Sequence, residues 1–287
     1  MTRDQLRYWA KGVTAKLRGR RTVCPSCGHQ TTACVARKYV VTELHRCQGC
    51  RLLFRVPIVS AHDNDEFYQR SYSQGFTTEL PDEPTLRRYL SDGFKGSEKD
   101  YSRYLGVLDA LGVSRRSRVF DFGCSWGYGT WQLQQHGFEV DGFEISVPRG
   151  DYGRTRLGVN VTAQLPEPRG AYDVFFSAHV LEHVPSVHDS VRYGFGMLKP
   201  HGIFIAFTPN GSEAFRASKP WNWMKSWGLV HPNLLDADYY RQAWGGYDHL
   251  VTSSPYSFDE VKTWRDRRAS TAGDLSGDEL CFIAIAK

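Results

Sequence analysis

Four cysteines near the start of the chain carry the most specific chemistry in the sequence. Cys24 and Cys27 flank Pro25-Ser26, nineteen residues follow, and Cys47 and Cys50 flank Gln48-Gly49. The spacing is that of two knuckles, each presenting two sulfurs to one zinc ion. Four thiolates fill a tetrahedral shell, so Zn2+ held by Cys24, Cys27, Cys47 and Cys50 would be structural, with no position left for catalysis. Such a site supplies on the order of 10 kcal/mol to a module whose core is too small to fold alone. His29 and His45 stand beside the knuckles as substitute ligands. Cys34, Cys124 and Cys281 read as lone thiols.

A second constellation runs from Asp121 to Glu144. Val119-Phe120-Asp121-Phe122 is an apolar run with one acid, and Gly123-Cys124-Ser125-Trp126-Gly127-Tyr128-Gly129 is rich in glycine. A strand, a glycine-rich bend and a helix together let a nucleotide-like ligand approach the backbone and meet free N–H groups. Glu144 ends the next strand, where a carboxylate can accept both hydroxyls of an adenosine ribose. Asp121 would repel a pyrophosphate and attract a ligand with a cationic amino group. Ser125 takes a position where glycine is usual; it is tolerated there if its φ is negative.

The histidines offer proton chemistry. His179 is expected just past a strand end, facing the reacting group and accepting a proton from a substrate hydroxyl. His231, followed by Pro232, is a second base candidate. His179-Val180-Leu181-Glu182-His183 also spells an inverted zinc-protease pattern. That chemistry needs a regular helix, and the preceding buried strand and Pro185 argue against one. No catalytic metal of that kind is expected, and His183 is read as packing locally.

These side chains need a scaffold. Hydrophobic residues make up 41% of the 287 and charged residues 23%, a globular composition that excludes a disordered, collagen-like or coiled-coil chain. No apolar run approaches the ~18 residues that span a bilayer, and no signal-peptide core is visible, so a cytoplasmic address is expected. The net charge of +5 is uneven: residues 1–60 hold twelve Lys/Arg against two acids. Leu6, Trp9, Val13 and Leu17 recur at helical spacing among the basic residues of 1–21. That helix is expected to dock on the protein, with peripheral contact to an anionic surface as the other option. Residues 22–58 read as a zinc ribbon. Residues 59–112 read as a helical connector or cap, with Phe67, Tyr68 and Tyr72 in a segment able to cover the mouth of the main fold. From residue 113 strands and helices alternate, which calls for a mostly parallel sheet with helices on both faces. Residues 211–250 interrupt this alternation with Phe215, Trp221, Trp223, Trp227, Tyr239, Tyr240, Trp244 and Tyr247. Aromatic faces suit a sugar ring or planar acceptor, but most of these rings are expected to form a small core that holds the insertion together.

The main domain resembles the class I S-adenosylmethionine-dependent methyltransferases. Val119 to Gly127 matches the first motif and Glu144 the acidic end of the second strand. Asp173-Val174-Phe175-Phe176-Ser177 fits the fourth strand, and Val180-Leu181-Glu182-His183-Val184 the segment after it. Leu198-Lys199-Pro200-His201-Gly202-Ile203-Phe204 fits the turn into the fifth strand. The resemblance covers residues 97–210, and Leu280 to Ala286 more loosely as the last strand. It implies an α/β, doubly wound, mostly parallel, seven-stranded-type Rossmann-like sheet with the small N-terminal zinc ribbon attached. It also implies S-adenosyl-L-methionine held by Asp121, Gly123, Ser125, Gly127, Glu144 and Ser177. The family often places an acid after the third strand to meet the adenine; Thr162-Ala163-Gln164 stands there instead, and Gln164 is the candidate.

The ribbon joined to such a domain resembles two groups, bacterial enzymes that methylate sugars or small metabolites and zinc-containing methyltransferases of ribosomal RNA. Leu181-Glu182-His183-Val184 and the aromatic insertion favour a small-molecule or glycan acceptor, methylated on oxygen, nitrogen or carbon. The basic arm suits nucleic acid, but no N-P-P-[YF] motif follows the fourth strand. A non-catalytic binding scaffold is the third option.

Overall fold

The computed structural model describes residues 22–38, 42–58, 79–228 and 230–287. The basic segment 1–21, Tyr39 to Val41 and the stretch 59–78 with Phe67, Tyr68 and Tyr72 lie outside the described residues, and with them the expected N-terminal helix.

Three antiparallel strands follow from the two cysteine knuckles: β1 (Thr32–Lys38), β2 (Thr42–Cys47) and β3 (Leu53–Val56). Helix α1 (Glu83–Asp92) is capped by Asp82, whose side chain accepts from the Thr85 amide, and ends at Gly93 in the left-handed region, φ 59°. Helix α2 spans Ser102–Ala110.

The main sheet is then laid down as β4 (Arg118–Phe122), α3 (Tyr128–Gln135), β5 (Glu139–Phe143), α4 (Val147–Tyr152), a π-helical turn at Gly153–Leu157, β6 (Asn160–Thr162), β7 (Tyr172–Ala178), α5 (Val187–Met197) and β8 (Leu198–Pro209). The excursion after β8 builds α6 (Glu213–Ser218), α7 (Pro220–Lys225), β9 (Asn233–Leu234) and α8 (Ala237–Trp244). The chain closes with β10 (His249–Ser253), α9 (Phe258–Arg267), β11 (Thr271–Ala272) and β12 (Glu279–Ile285).

The strand order is β11-β10-β12-β8-β7-β4-β5-β6. Pairs β4/β5, β4/β7, β5/β6 and β7/β8 are parallel, while β12 runs antiparallel to both β8 and β10. The mostly parallel expectation therefore holds, with a two-residue eighth strand at one edge. Buried runs such as Val174-Phe175-Phe176 and Phe204-Ile205-Ala206-Phe207 are apolar on both faces because helices cover both. On one face α5 contributes Val187, Val191 and Met197. On the other α2 and α9 contribute Tyr104, Val107, Leu108, Val261 and Trp264.

The insertion ends before His249, which opens β10 of the main sheet. The ribbon is also no mere appendage. Its β3 pairs with β9, Leu53 opposite Leu234 and Phe54 opposite Asn233. Cys24, Cys47, Leu52 and Phe54 share one core with Leu235, Tyr239 and Tyr240. Arg46 and Asp236, both nearly fully buried, close an ion pair at 2.8 Å, and Asp236 also caps α8. Phe215, Trp223 and Trp227 pack on Leu44, Leu53 and Leu234. These rings thus bind the ribbon to the insertion; Trp221, 80% exposed, is the exception.

Candidate active site

Four adjacent parallel strands bring the cofactor candidates to one edge. Asp121, the last residue but one of β4, is fully buried and accepts from Thr130 Oγ1 at 2.8 Å. Burial pushes its carboxyl up to about 7; the Thr130 bond opposes the rise and the charge of Glu144 adds to it. Gly123 and Cys124 then donate their amides to the Phe143 carbonyl, at 2.8 and 2.9 Å. Gly123 has φ +82°, and a Cβ there would lie 2.4 Å from Val180 Cγ2, so only glycine fits.

Ser125 departs from the sequence reading, since its φ is +53° rather than negative. The reason is geometric. The left-handed bend turns the Ser125 amide toward Glu144 Oε2, 2.9 Å away, while the Ser146 amide donates to Oε1 at 2.8 Å. Burial raises the Glu144 carboxyl, and these amides together with Arg149 oppose the rise. Gly127, φ +83°, opens α3. Gln164 sits exposed just beyond β6, its amide on Thr162 Oγ1 at 3.2 Å. Ser177 lies fully buried near the end of β7.

The hydroxyls of Ser125 and Ser177 are buried and have no hydrogen-bond partner. A buried hydroxyl left unpaired costs roughly 1–3 kcal/mol, so two of them at the carboxyl edge of the sheet, one on the bend that meets Glu144, suit a polar ligand. The residues present fit a nucleoside with an amino-acid tail.

His179 begins the turn after β7 with φ +56°. Its Nε2 lies 2.6 Å from Glu279 Oε2 and its Nδ1 3.3 Å from Glu182 Oε1. Burial pulls this imidazole down, but the hydrogen bonds and charges of Glu182 and Glu279 prevail and hold it up at about 10. Carboxylate oxygens at both ring nitrogens favour the protonated ring, which works against the expected proton-accepting role. Glu279 is the hub that sequence reading missed. It also accepts from Tyr104 at 2.7 Å, Tyr256 at 2.5 Å and Arg103 at 3.0 Å. An acid directly before the apolar run Leu280 to Ala286 was the available signal. His231 stands elsewhere, beside His183 with ring centroids 4.7 Å apart.

The four ribbon cysteines converge as the spacing required. Cys24 and Cys50 sulfurs are 3.6 Å apart, as are those of Cys27 and Cys47, and all four lie within 4.8 Å of one another. Zn–S bonds of about 2.3 Å in a tetrahedron place sulfurs ~3.8 Å apart, so the cluster fits zinc. The Cys24–Cys50 hydrogen bond lowers the Cys24 thiol to about 5 and raises that of Cys50.

Fold and edge together define an α/β enzyme domain built for a nucleoside cofactor. A family model described as a methyltransferase domain matches residues 95–253, and the chain belongs to that family. Ubiquinone biosynthesis O-methyltransferase of Paramagnetospirillum magneticum (strain ATCC 700264 / AMB-1) is 32% identical over 111 residues, 36% of this chain and 43% of that protein. A probable S-adenosylmethionine-dependent methyltransferase of Mycolicibacterium smegmatis is 30% identical over 97 residues, 32% of this chain and 38% of that protein. The chain thus spans less than half the length of these curated relatives. Geranyl diphosphate C-methyltransferase from Streptomyces coelicolor A3(2), solved with Mg2+, geranyl diphosphate and S-adenosyl-L-homocysteine, superposes with a TM-score of 0.51 at 13% identity. It covers 80% of this chain and 100% of that one, a likeness of fold alone. No helix among the described residues is long and apolar enough to cross a membrane.

Proposed function

We propose that this protein transfers a methyl group from S-adenosyl-L-methionine to a small-molecule or glycan acceptor. S-adenosyl-L-methionine, when bound, supplies a methyl carbon on a sulfonium, open to direct displacement by an acceptor atom. The protein's part is to bind, align and exclude water. Glu144 takes the ribose hydroxyls with the lone pairs its two amides leave. Asp121 and the Gly123–Gly127 bend receive the amino-acid end, Ser125 and Ser177 offer their hydroxyls, and Gln164 stands on the adenine side. The observation that carries the reading is the pair of buried hydroxyls without a hydrogen-bond partner at the carboxyl edge of the sheet, Ser125 on the bend that meets Glu144 and Ser177 near the end of β7.

On the acceptor side, His179 held between Glu182 and Glu279 is a positive group that steadies developing negative charge on an acceptor oxygen. His231 keeps its proton-accepting role as a proposal. Zn2+ on the four cysteines is the structural staple of the ribbon.

The charge of the ribbon supports a small acceptor over nucleic acid. Arg46 and Arg55 are buried and spent internally, on Asp236 and on the Gly228 carbonyl. Lys38 lies over the Trp227 ring. Only Arg37 and Arg51 of the described ribbon cations keep much exposure.

The test is calorimetry with S-adenosyl-L-homocysteine, followed by mass detection of methylated product on phenol, sugar and RNA panels. Binding with methylation of a small acceptor supports the reading. Binding with salt-sensitive methylation of RNA replaces the acceptor class, and absence of binding leaves a scaffold.

A further inference from the structure

Sequence reading set a metal aside at His179 to His183 because the pentad is not expected to form a helix, and none of residues 179–185 is helical. The turn assembles donors by another route. Glu182, His183 and His231 each offer one ligand atom, and these atoms lie within 4.8 Å of one another. His183 Nδ1 is 2.9 Å from the Val230 carbonyl oxygen, and His231 Nδ1 is 3.0 Å from that of Ser226. A carbonyl only accepts, so both Nδ1 atoms carry hydrogen and donate. In the neutral rings Nε2 is then the lone-pair atom of each. An imidazole pinned through its other nitrogen to a carbonyl is the usual support of a metal ligand.

The carboxylate supplies the independent observation. Glu182 is fully buried, and its Oε2 has no hydrogen-bond partner. Its Oε1 stands 3.8 Å from His183 Nε2, so a neutral His183 turns a lone pair toward an anion. A buried carboxylate oxygen without a partner is costly. A cation among the three donors removes that cost.

We propose that Glu182, His183 and His231 bind one divalent transition-metal ion. Two imidazoles and a carboxylate suit zinc, iron(II) or manganese(II) better than magnesium, and three protein donors leave positions open for water or a substrate oxygen. The site adjoins the acceptor side through Glu182 Oε1, which also meets His179. An acceptor hydroxyl on the ion would become more acidic and release its proton to water, a route that replaces direct proton acceptance by His231. It points to acceptors with a hydroxyl able to ligate a metal. That task rests on the methyl-transfer reading above; the binding of the ion does not. The ribbon sets the third donor in place, because Arg55 donates its amide to the Pro232 carbonyl at 2.7 Å and Asn233 donates its own to the Glu182 carbonyl at 3.1 Å.

The experiment uses the full chain with its thiolate site loaded with zinc. Mn2+ is titrated and followed by electron paramagnetic resonance, since manganese avoids thiolates. The proposal expects one Mn2+ per chain. His231→Ala should weaken it by about tenfold or more, with zinc content, melting temperature and S-adenosyl-L-homocysteine affinity kept, and His231→Asp should restore part of the loss. No bound Mn2+ on the wild-type chain, or equal binding by His231→Ala, overturns the site. Affinity for S-adenosyl-L-homocysteine in the same samples separates this failure from that of the methyltransferase reading.

Discussion

The Ser125 amide reaches the Glu144 carboxylate across 2.9 Å only because Ser125 takes a left-handed backbone, φ +53°. The bend and the acid are one device. A serine in that region carries a cost of roughly 1–2 kcal/mol that glycine escapes, and glycine loses part of the gain to its freer unfolded chain. Ser125→Gly should therefore raise unfolding free energy by about 0.5–1 kcal/mol in urea titrations. If its hydroxyl meets the cofactor, affinity for S-adenosyl-L-homocysteine falls in the same variant.

Removing the acid has the opposite balance. Glu144→Ala strips two amides of a charged acceptor and removes the proposed ribose contact. Hydrogen bonds to charged groups contribute ~1.5–3 kcal/mol. Calorimetry should show S-adenosyl-L-homocysteine binding weakened by about tenfold to a hundredfold. Unchanged affinity would place the ribose elsewhere.

Asp121 gives a pH signature. Its folded carboxyl titrates near 7 because it is buried, whereas the unfolded one titrates near 3.9. The folded state thus binds the proton more tightly. The contribution of this group to stability is present below pH ~4 and falls as pH rises through about 7. Asp121→Asn lacks this loss, so the difference between variant and wild type, measured without cofactor, should move in favour of the variant from pH 5 to pH 8. A difference that stays flat across that range would refute a buried ionisation.

Stripping the zinc proposed for the four thiolates should disturb more than the ribbon. With Phe54 opposite Asn233 and the Arg55 amide on Pro232, loss of the four-thiolate site loosens residues 230–235. A strong chelator should lower the melting temperature and raise amide exchange at Asn233 and Leu234. Exchange confined to residues 22–58 would show the two parts uncoupled.

What the sequence displayed was whatever lies close together along the chain. The cysteine knuckles and the stretch from Asp121 to Gly127 were legible because their geometry is local, fixed by spacing and glycine. Glu144 was legible because a strand end is a defined place. The φ of Ser125 was not, since it answers to an amide target on another strand. Glu279 gathers Arg103, Tyr104, His179 and Tyr256 from segments far apart, and no local pattern announces such a meeting. His231 reaches Glu182 and His183 only after the insertion has docked on the ribbon. Most aromatics of 211–250 read as a small core of the insertion; Phe215, Trp223 and Trp227 are buried as that reading requires, but against Leu44 and Leu53 of the ribbon, a partner no local pattern announces.

The ladder from Leu53-Phe54 to Asn233-Leu234 has an evolutionary corollary. The front of the gene and its middle encode two halves of one small sheet, so neither can be exchanged or shortened by recombination without orphaning the other. Descendants that shed the cysteine knuckles should also have rebuilt or deleted the excursion after β8, and the two losses should occur together across lineages.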